Sequence, residues 1–318
     1  MTQLDELRNK FSVPGILAFE PASGGLIAAH VTTPAAEATI YLQGAHLTQW
    51  KPAGFAPAIF LSQRAEFAPG KPIRGGVPIV FPWFADRHDG RPGPQHGFAR
   101  ISEWELAFAA MAADDLHLTF TLAPNDLSRS LGFDHFKLAY RVTVGRTLTL
   151  ELTVANDSGS GGAYAGDASA HIAANGAPLL FEEALHTYYA VADARQVSID
   201  GLGGTAYIDK VDGFKHKVQP PDPLMFAGRT DRPYLNTEAA CVLHDPAGGR
   251  KITVAKSGSR STVVWNPWQE LTATMADMEP DAWMHMTAIE TANVGDNAVT
   301  LAAGATHTMR ATVSIEPA

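Results

Sequence analysis

Residues able to do acid–base and anion chemistry gather at a few places along the chain. The densest stretch runs from Ile73-Arg74-Gly75-Gly76-Val77-Pro78 to Gln95-His96-Gly97-Phe98-Ala99-Arg100 and has almost no helical or strand periodicity. Such a stretch builds a polar pocket more readily than a core. Glycines let backbone come close to a ligand, prolines freeze the path, and arginine offers a planar fork matched to phosphate or carboxylate. Arg74 and Arg100 thus outline a place for a small anion, with surface ion pairing as the plainer alternative for both. His186, within Glu182-Glu183-Ala184-Leu185-His186-Thr187-Tyr188-Tyr189, has the ring for proton transfer, but beside an apolar-aromatic strand it reads first as a satisfied core residue. Glu290 interrupts the strand-like run Met286-Thr287-Ala288-Ile289-Glu290-Thr291 with one charge. Such a glutamate ordinarily faces solvent, and if it points inward it needs a partner and a reason. Asp231, ahead of Arg232-Pro233, reads first as a turn residue. The tryptophans of Val264-Trp265-Asn266-Pro267-Trp268 read as core, or, if exposed, as a surface on which a sugar face stacks.

Several other chemistries lack their motifs. There is no GxxxxGK[ST] loop, and Gly201-Leu202-Gly203-Gly204 does not complete GxGxxG. HExxH, zinc-spaced Cys/His clusters, an Asp-rich calcium loop and the GxSxG elbow are missing too. Nucleotide, metal and serine-nucleophile mechanisms are disfavoured. Acid–base work by histidine and carboxylates remains.

The elements that must position these residues are mostly strands. Glu103 to Phe108, Leu116 to Leu122, Leu138 to Val144 and Thr147 to Val154 alternate with period two, the last two joined across Gly145-Arg146 as a hairpin. Thr39 to Leu42, His46 to Trp50, Gln196 to Ile199, Cys241 to Leu243, Lys251 to Ala255, Thr262 to Trp265 and Thr308 to Ile315 add further strands. Helical signals are confined to residues 2–10 and to Gln269 to Met286, which Pro280 interrupts. The pattern predicts an all-β fold, a large two-sheet β-sandwich with few short helices, in one domain spanning 1–318. A Gly/Ala/Ser-rich stretch at about 157–176 reads as a flexible surface loop.

Of the 318 residues 46% are hydrophobic and 18% charged, and the formal net charge is −9, which argues against a nucleic-acid partner. An anion must then be bound by a local basic pocket rather than by a global field. The lone cysteine, Cys241, allows no internal disulfide and fits a reducing compartment. With an acidic, non-apolar start and no run of about 18 apolar residues, a cytoplasmic protein with no membrane partner is expected.

Taken together and in order, these segments resemble the aldose 1-epimerase (mutarotase) superfamily, and within it the hexose-6-phosphate mutarotase branch. The carrying residues are Pro72 to Pro78 with Phe81-Pro82-Trp83-Phe84, then Gln95 to Arg100 and Ala184 to Tyr188. Tyr207-Ile208-Asp209-Lys210, Thr230-Asp231-Arg232, Val264 to Trp268, Asp277-Met278 and Ile289-Glu290 follow. The resemblance implies a galactose-mutarotase-like β-supersandwich, no metal, no organic cofactor, and a small sugar phosphate as substrate of what is expected to be a monomer. It implies that the α and β anomers of a hexose 6-phosphate, glucose 6-phosphate first among them, are interconverted by ring opening and closure. Under it His186 is the general acid and Glu290 the general base; from ordinary side-chain pKa values the carboxylate is expected to be ionised at neutral pH and the histidine to need only a modest rise to serve as acid. His96 and Asp231 hold the sugar, and Arg74 and Arg100 line the phosphate end; Gln63 and Lys71 are lesser candidates for contact. The stretch between Asn156 and Phe181 departs from the family pattern in its length and its Gly/Ala content. Alternatives from the residues themselves are a mutarotase for non-phosphorylated aldoses, a non-catalytic carbohydrate-binding sandwich, and a lyase-type sandwich domain.

Overall fold

The computed structural model describes residues 1–158 and 176–318, so most of the stretch at 157–176 lies outside the described residues. Two large antiparallel sheets dominate. One has nine strands, in the spatial order Leu224–Met225, Ser198–Asp200, Cys241–Asp245, Arg250–Ser257, Thr306–Pro317, Leu148–Asn156, Phe136–Val144, Asp115–Leu122 and Glu105–Ala112. The alternation seen in sequence is the alternation of burial. In Phe136–Val144 every second side chain, from Phe136 to Val144, points to the core. The predicted hairpin forms with Val144 opposite Leu148.

The other large sheet has eight strands and carries the chemistry. Lys215–Val218, Ala206–Asp209, Thr230–Leu235, Ser261–Asn266, Met286–Asn293, Glu183–Leu185 and Ile79–Val80 follow one another across it, and Tyr188–Ala190 also pairs with Met286–Asn293. The two sheets share one core. Phe120, Leu138, Leu152 and Met309 from the first pack in the same cluster as Leu185, Tyr234, Val264 and Ile289 from the second. The structure adds a four-stranded sheet between Leu17 and Pro52 and a two-stranded one to the two sheets expected.

Helices are few, as expected. Gln3–Phe11 starts on a capping box between Thr2 and Asp5. The helical signal near Pro280 resolves into the five-residue helix Trp268–Thr272 and a single 3-10 turn, Ala282–Met284, on either side of it. Among the described residues no helix is long and apolar enough to cross a membrane.

Two glycines of the 73–100 stretch, Gly76 and Gly97, are required by close packing against protein. Gly97 has φ +73°, and a Cβ there would overlap the Phe81 carbonyl; a Cβ on Gly76, φ +70°, would overlap the His46 ring. Backbone is packed against protein here, and that packing holds the loop rigid around the cleft. Gly97→Ala should lower unfolding stability by roughly 1–3 kcal/mol, since it adds both backbone strain and overlap. Urea unfolding measures it, and a loss inside about 0.5 kcal/mol, the range of a neutral surface change, would contradict this reading.

Candidate active site

Glu290 lies in Met286–Asn293, a strand whose eight residues are all buried. With period two, Ala288 and Ala292 share its face, and their small side chains leave room around the carboxyl. One edge of this strand pairs with two short segments in turn: Leu185 lies opposite Thr291 and Tyr188 opposite Ala288, while the Ile289 N–H donates to the Thr187 carbonyl at 3.2 Å. The break between those two segments holds His186, whose own N–H is fixed on the Pro78 carbonyl at 3.0 Å. Backbone pairing therefore sets the imidazole opposite the carboxyl. His186 Nε2 stands 3.4 Å from Glu290 Oε1, with the two residues 7% and 1% exposed. His186 Nδ1 and Glu290 Oε2 have no hydrogen-bond partner among the described residues, a costly arrangement in a buried place and a common one where a ligand supplies the partner.

Across the other edge come Val263, opposite Glu290, and Trp265, opposite Ala288; Asp231 then pairs with Trp265 on the next strand. Asp231, Trp265 and Glu290 thus share the cleft face. Lys210, just past Ala206–Asp209, closes that side with Nζ 3.5 Å from Asp231 Oδ1 and 4.6 Å above the Phe84 ring.

The facing wall comes from the 73–100 stretch. His96 has φ +64° and Ala85 φ +59°, and the two lock together: the His96 N–H donates to the Ala85 carbonyl at 2.7 Å, and the Ala85 N–H donates to His96 Nδ1 at 3.1 Å. An acceptor Nδ1 leaves the ring proton on Nε2, so His96 is neutral and offers a donor. Burial first, then the charge of Arg100, pushes its pKa well below the usual histidine value, which agrees. Arg74 is held by Asp277 (Nε–Oδ2, 3.0 Å) and donates from Nη1 to the Tyr188 hydroxyl at 3.1 Å. The Tyr188 ring in turn stacks on His186 with centroids 4.8 Å apart. These walls enclose a cavity of about 330 Å³, within the roughly 300–1,000 Å³ of small-molecule sites.

Five of the six site residues marked in the sequence, Arg74, His96, His186, Asp231 and Glu290, line this cavity. Arg100 stands behind the wall. It is buried in the turn Ala99–Ile101 and donates from Nη2 to the Gln95 carbonyl at 2.7 Å. Gln63 and Lys71 are exposed and outside the lining; the Gln63 N–H donates to Glu279, and the Lys71 carbonyl accepts from Gln43. The sequence reading gave no role to Lys210, Tyr188, Arg229 or Asp277. Lys210 and Asp277 lay inside quoted segments, but nothing in their neighbours announced that they pair with Asp231 and Arg74.

The ionisation of the central pair runs opposite to expectation. His186 was expected to sit slightly above its ordinary value; burial, then Arg100 and Arg74, push it down to about 3. Glu290 is pushed well above the carboxylate range by burial and then by Asp231, with Lys210 and Arg100 pulling the other way. Both shifts favour a neutral imidazole beside a protonated carboxyl over an ion pair. Burial decides this first, with Arg100 and Arg74 adding to the effect on His186; the depth at which the pair lies is not visible in the sequence.

The Aldose 1-epimerase family model matches residues 29–162 and 168–314. The chain belongs to the aldose 1-epimerase family. It is an isomerase that interconverts sugar anomers. An Escherichia coli (strain K12) protein named "Putative glucose-6-phosphate 1-epimerase" is 36% identical over 264 residues, 82% of this chain and 81% of that one. A Salmonella typhimurium protein of the same name is 36% identical over 261 residues, with the same shares covered. The crystal structure of a "putative mutarotase (YeaD)" from Salmonella typhimurium superposes with a TM-score of 0.85 at 29% identity, over 100% of both chains. Galactose 1-epimerase from Lactobacillus acidophilus NCFM shares the fold at a TM-score of 0.66 and 11% identity, over 95% of this chain and 98% of that one.

The charge state of His186 is directly measurable. ¹⁵N NMR of the substrate-free protein should show its imidazole neutral from pH 7 down to below pH 4, titrating near 3. A ring that protonates between pH 6 and 7 would contradict this electrostatic account.

Proposed function

We propose that this aldose 1-epimerase acts on a hexose 6-phosphate, glucose 6-phosphate first among them, with Glu290 as base and His186 as acid. The carrying observation is the 3.4 Å pair of buried groups facing a sugar-sized cavity with Arg74 in its wall. In the reaction Glu290 takes the proton of the C1 hydroxyl, the C1–O5 bond breaks, and His186 gives its proton to O5. The open-chain aldehyde rotates about C1–C2 and closes on its other face with the proton movements reversed. The base gains the proton that the acid loses, so the pair regenerates on each turnover.

The position of Arg74 supports the phosphate. C6 is bonded to C5, the ring carbon next to O5, so a 6-phosphate leaves the ring on the side of the acid. Arg74 stands on that side, joined to His186 through Tyr188. Arg100 backs it from behind the wall. The names of the Escherichia coli and Salmonella relatives point to the same substrate. The phosphate also addresses the ionisation of the pair. A dianion against Arg74 offsets the field that keeps His186 neutral, and one proton passing across 3.4 Å turns a neutral pair into imidazolium and carboxylate.

Anomer exchange followed by saturation-transfer NMR tests this. The protein should accelerate exchange of glucose 6-phosphate well beyond that of glucose or galactose; equal acceleration of all three would remove the phosphate assignment. Glu290→Gln should lower kcat by roughly 10²–10⁴ with the fold intact. Arg74→Ala should raise KM for the phosphorylated sugar by roughly 10- to 100-fold, as expected for lost charge-assisted hydrogen bonds, and leave that for the free sugar nearly unchanged.

A further inference from the structure

Two carboxyls, Glu290 and Asp231, face the same cavity from strands two apart in one sheet, and both are drawn toward protonation by burial. Buried carboxyls facing one another tend to share one proton, which would remove the base at neutral pH. Among the described residues Lys210 is the one ammonium in the cavity wall, and it lies beside this pair. Lys210 reaches Asp231 at 3.5 Å, is held above the Phe84 ring at 4.6 Å, and its backbone N–H donates to the Asp231 carbonyl at 3.1 Å. Its side chain is only 20% exposed, so water screens the contact weakly. We propose that Lys210 is a positioning residue that binds Asp231 as its counter-ion, so that Asp231 stays ionised and Glu290 alone exchanges a proton with the substrate.

This rests on Glu290 as the base. Glu290 is faced by His186 from the break in the neighbouring edge, by Asp231 from two strands away, by Lys210 beside it and by Arg100 from behind the loop wall. Of these, Lys210 touches Asp231 directly and acts on Glu290 through space. Arg74 is committed to Asp277 and Tyr188, and Arg100 to the Gln95 carbonyl. Arg229 lines the same cavity from an exposed position and makes no ion pair among the described residues, so water weakens its effect on Asp231. Lys210 is therefore the cation placed to divide the labour of the two carboxyls.

The test is the pH profile of kcat/KM for glucose 6-phosphate anomer exchange. Lys210→Met should move the alkaline limb, set by loss of the last proton from the His186–Glu290 pair, upward by about one pH unit, because an opposing charge has gone. Lys210→Arg, which keeps the charge, should return it toward the wild-type position. In Lys210→Met/Asp231→Asn, where both charges are gone, the limb should fall back from its Lys210→Met position. Loss of packing alone scales the whole profile and moves neither limb. A Lys210→Met profile with unmoved limbs overturns the proposal, as does an Arg variant that behaves like Met. Should the Met variant not fold, Lys210→Gln reads the same limb with a polar replacement. Glu290→Gln run alongside separates the two claims. If it keeps near-normal activity the base assignment fails; if it is inactive while the Lys210 limbs stay put, only the role of Lys210 fails.

Discussion

The structure depends on keeping two ionisable groups, 104 positions apart in sequence, buried and face to face in one cavity wall. His186 and Glu290 are both buried and stand 3.4 Å from one another. Among the described residues, His186 Nδ1 and Glu290 Oε2 have no hydrogen-bond partner to hold them. The sheet holds them, because the strand bearing Glu290 pairs with chain on both sides of His186, and the imidazole occupies the gap in that edge. Displacing the pairing by one residue would turn Glu290 into the sandwich core and Ile289 into the cleft. The register of one buried strand is thus a condition for chemistry as well as for folding.

Around that pair the fold spends stability on precision. Ala85 and His96 both take left-handed backbone, where non-glycine residues are strained by about 1–3 kcal/mol each, and they stay there because each satisfies the other's backbone. The return is a neutral His96 with a fixed tautomer and a donor presented to the cavity. The same loop carries Gly76 and Gly97 packed against protein backbone and ring, and Arg100 tucked behind it. Arg100 then acts through its field rather than by contact. With Arg74 it suppresses the charge of His186, and with Lys210 it opposes protonation of Glu290. The cleft is an arrangement of charges in low dielectric, in which contact and field are distinct roles.

Much of the scaffold was legible beforehand. Period-two alternation in Leu116 to Leu122, Leu138 to Val144 and Thr147 to Val154 is visible because one face of each strand is core and the other is not. The all-β class and the hairpin at Gly145 follow from it. Met286–Asn293 was harder to place, since both its faces are buried and its composition alternates only weakly; nothing local says that Glu290 points inward. The site residues were recognisable from the joint order of several motifs, while singly each read as core, turn or surface. What the sequence withheld is set by tertiary neighbours: Lys210 against Asp231, Arg74 against Asp277, Arg100 behind rather than in the wall, and the lowered His186. Gly76 and Gly97 were marked as points of close approach, and the approach the structure shows is to protein.

The central claim is that His186 and Glu290 work as one proton-exchanging unit rather than as two separate aids to the reaction. Anomer-exchange rates of Glu290→Gln, His186→Asn and the double variant, measured on the same hexose 6-phosphate, test it most directly. A shared unit predicts a double variant no slower than the worse single one, because either loss already disables the pair. Rate losses that multiply across the two substitutions would contradict the account.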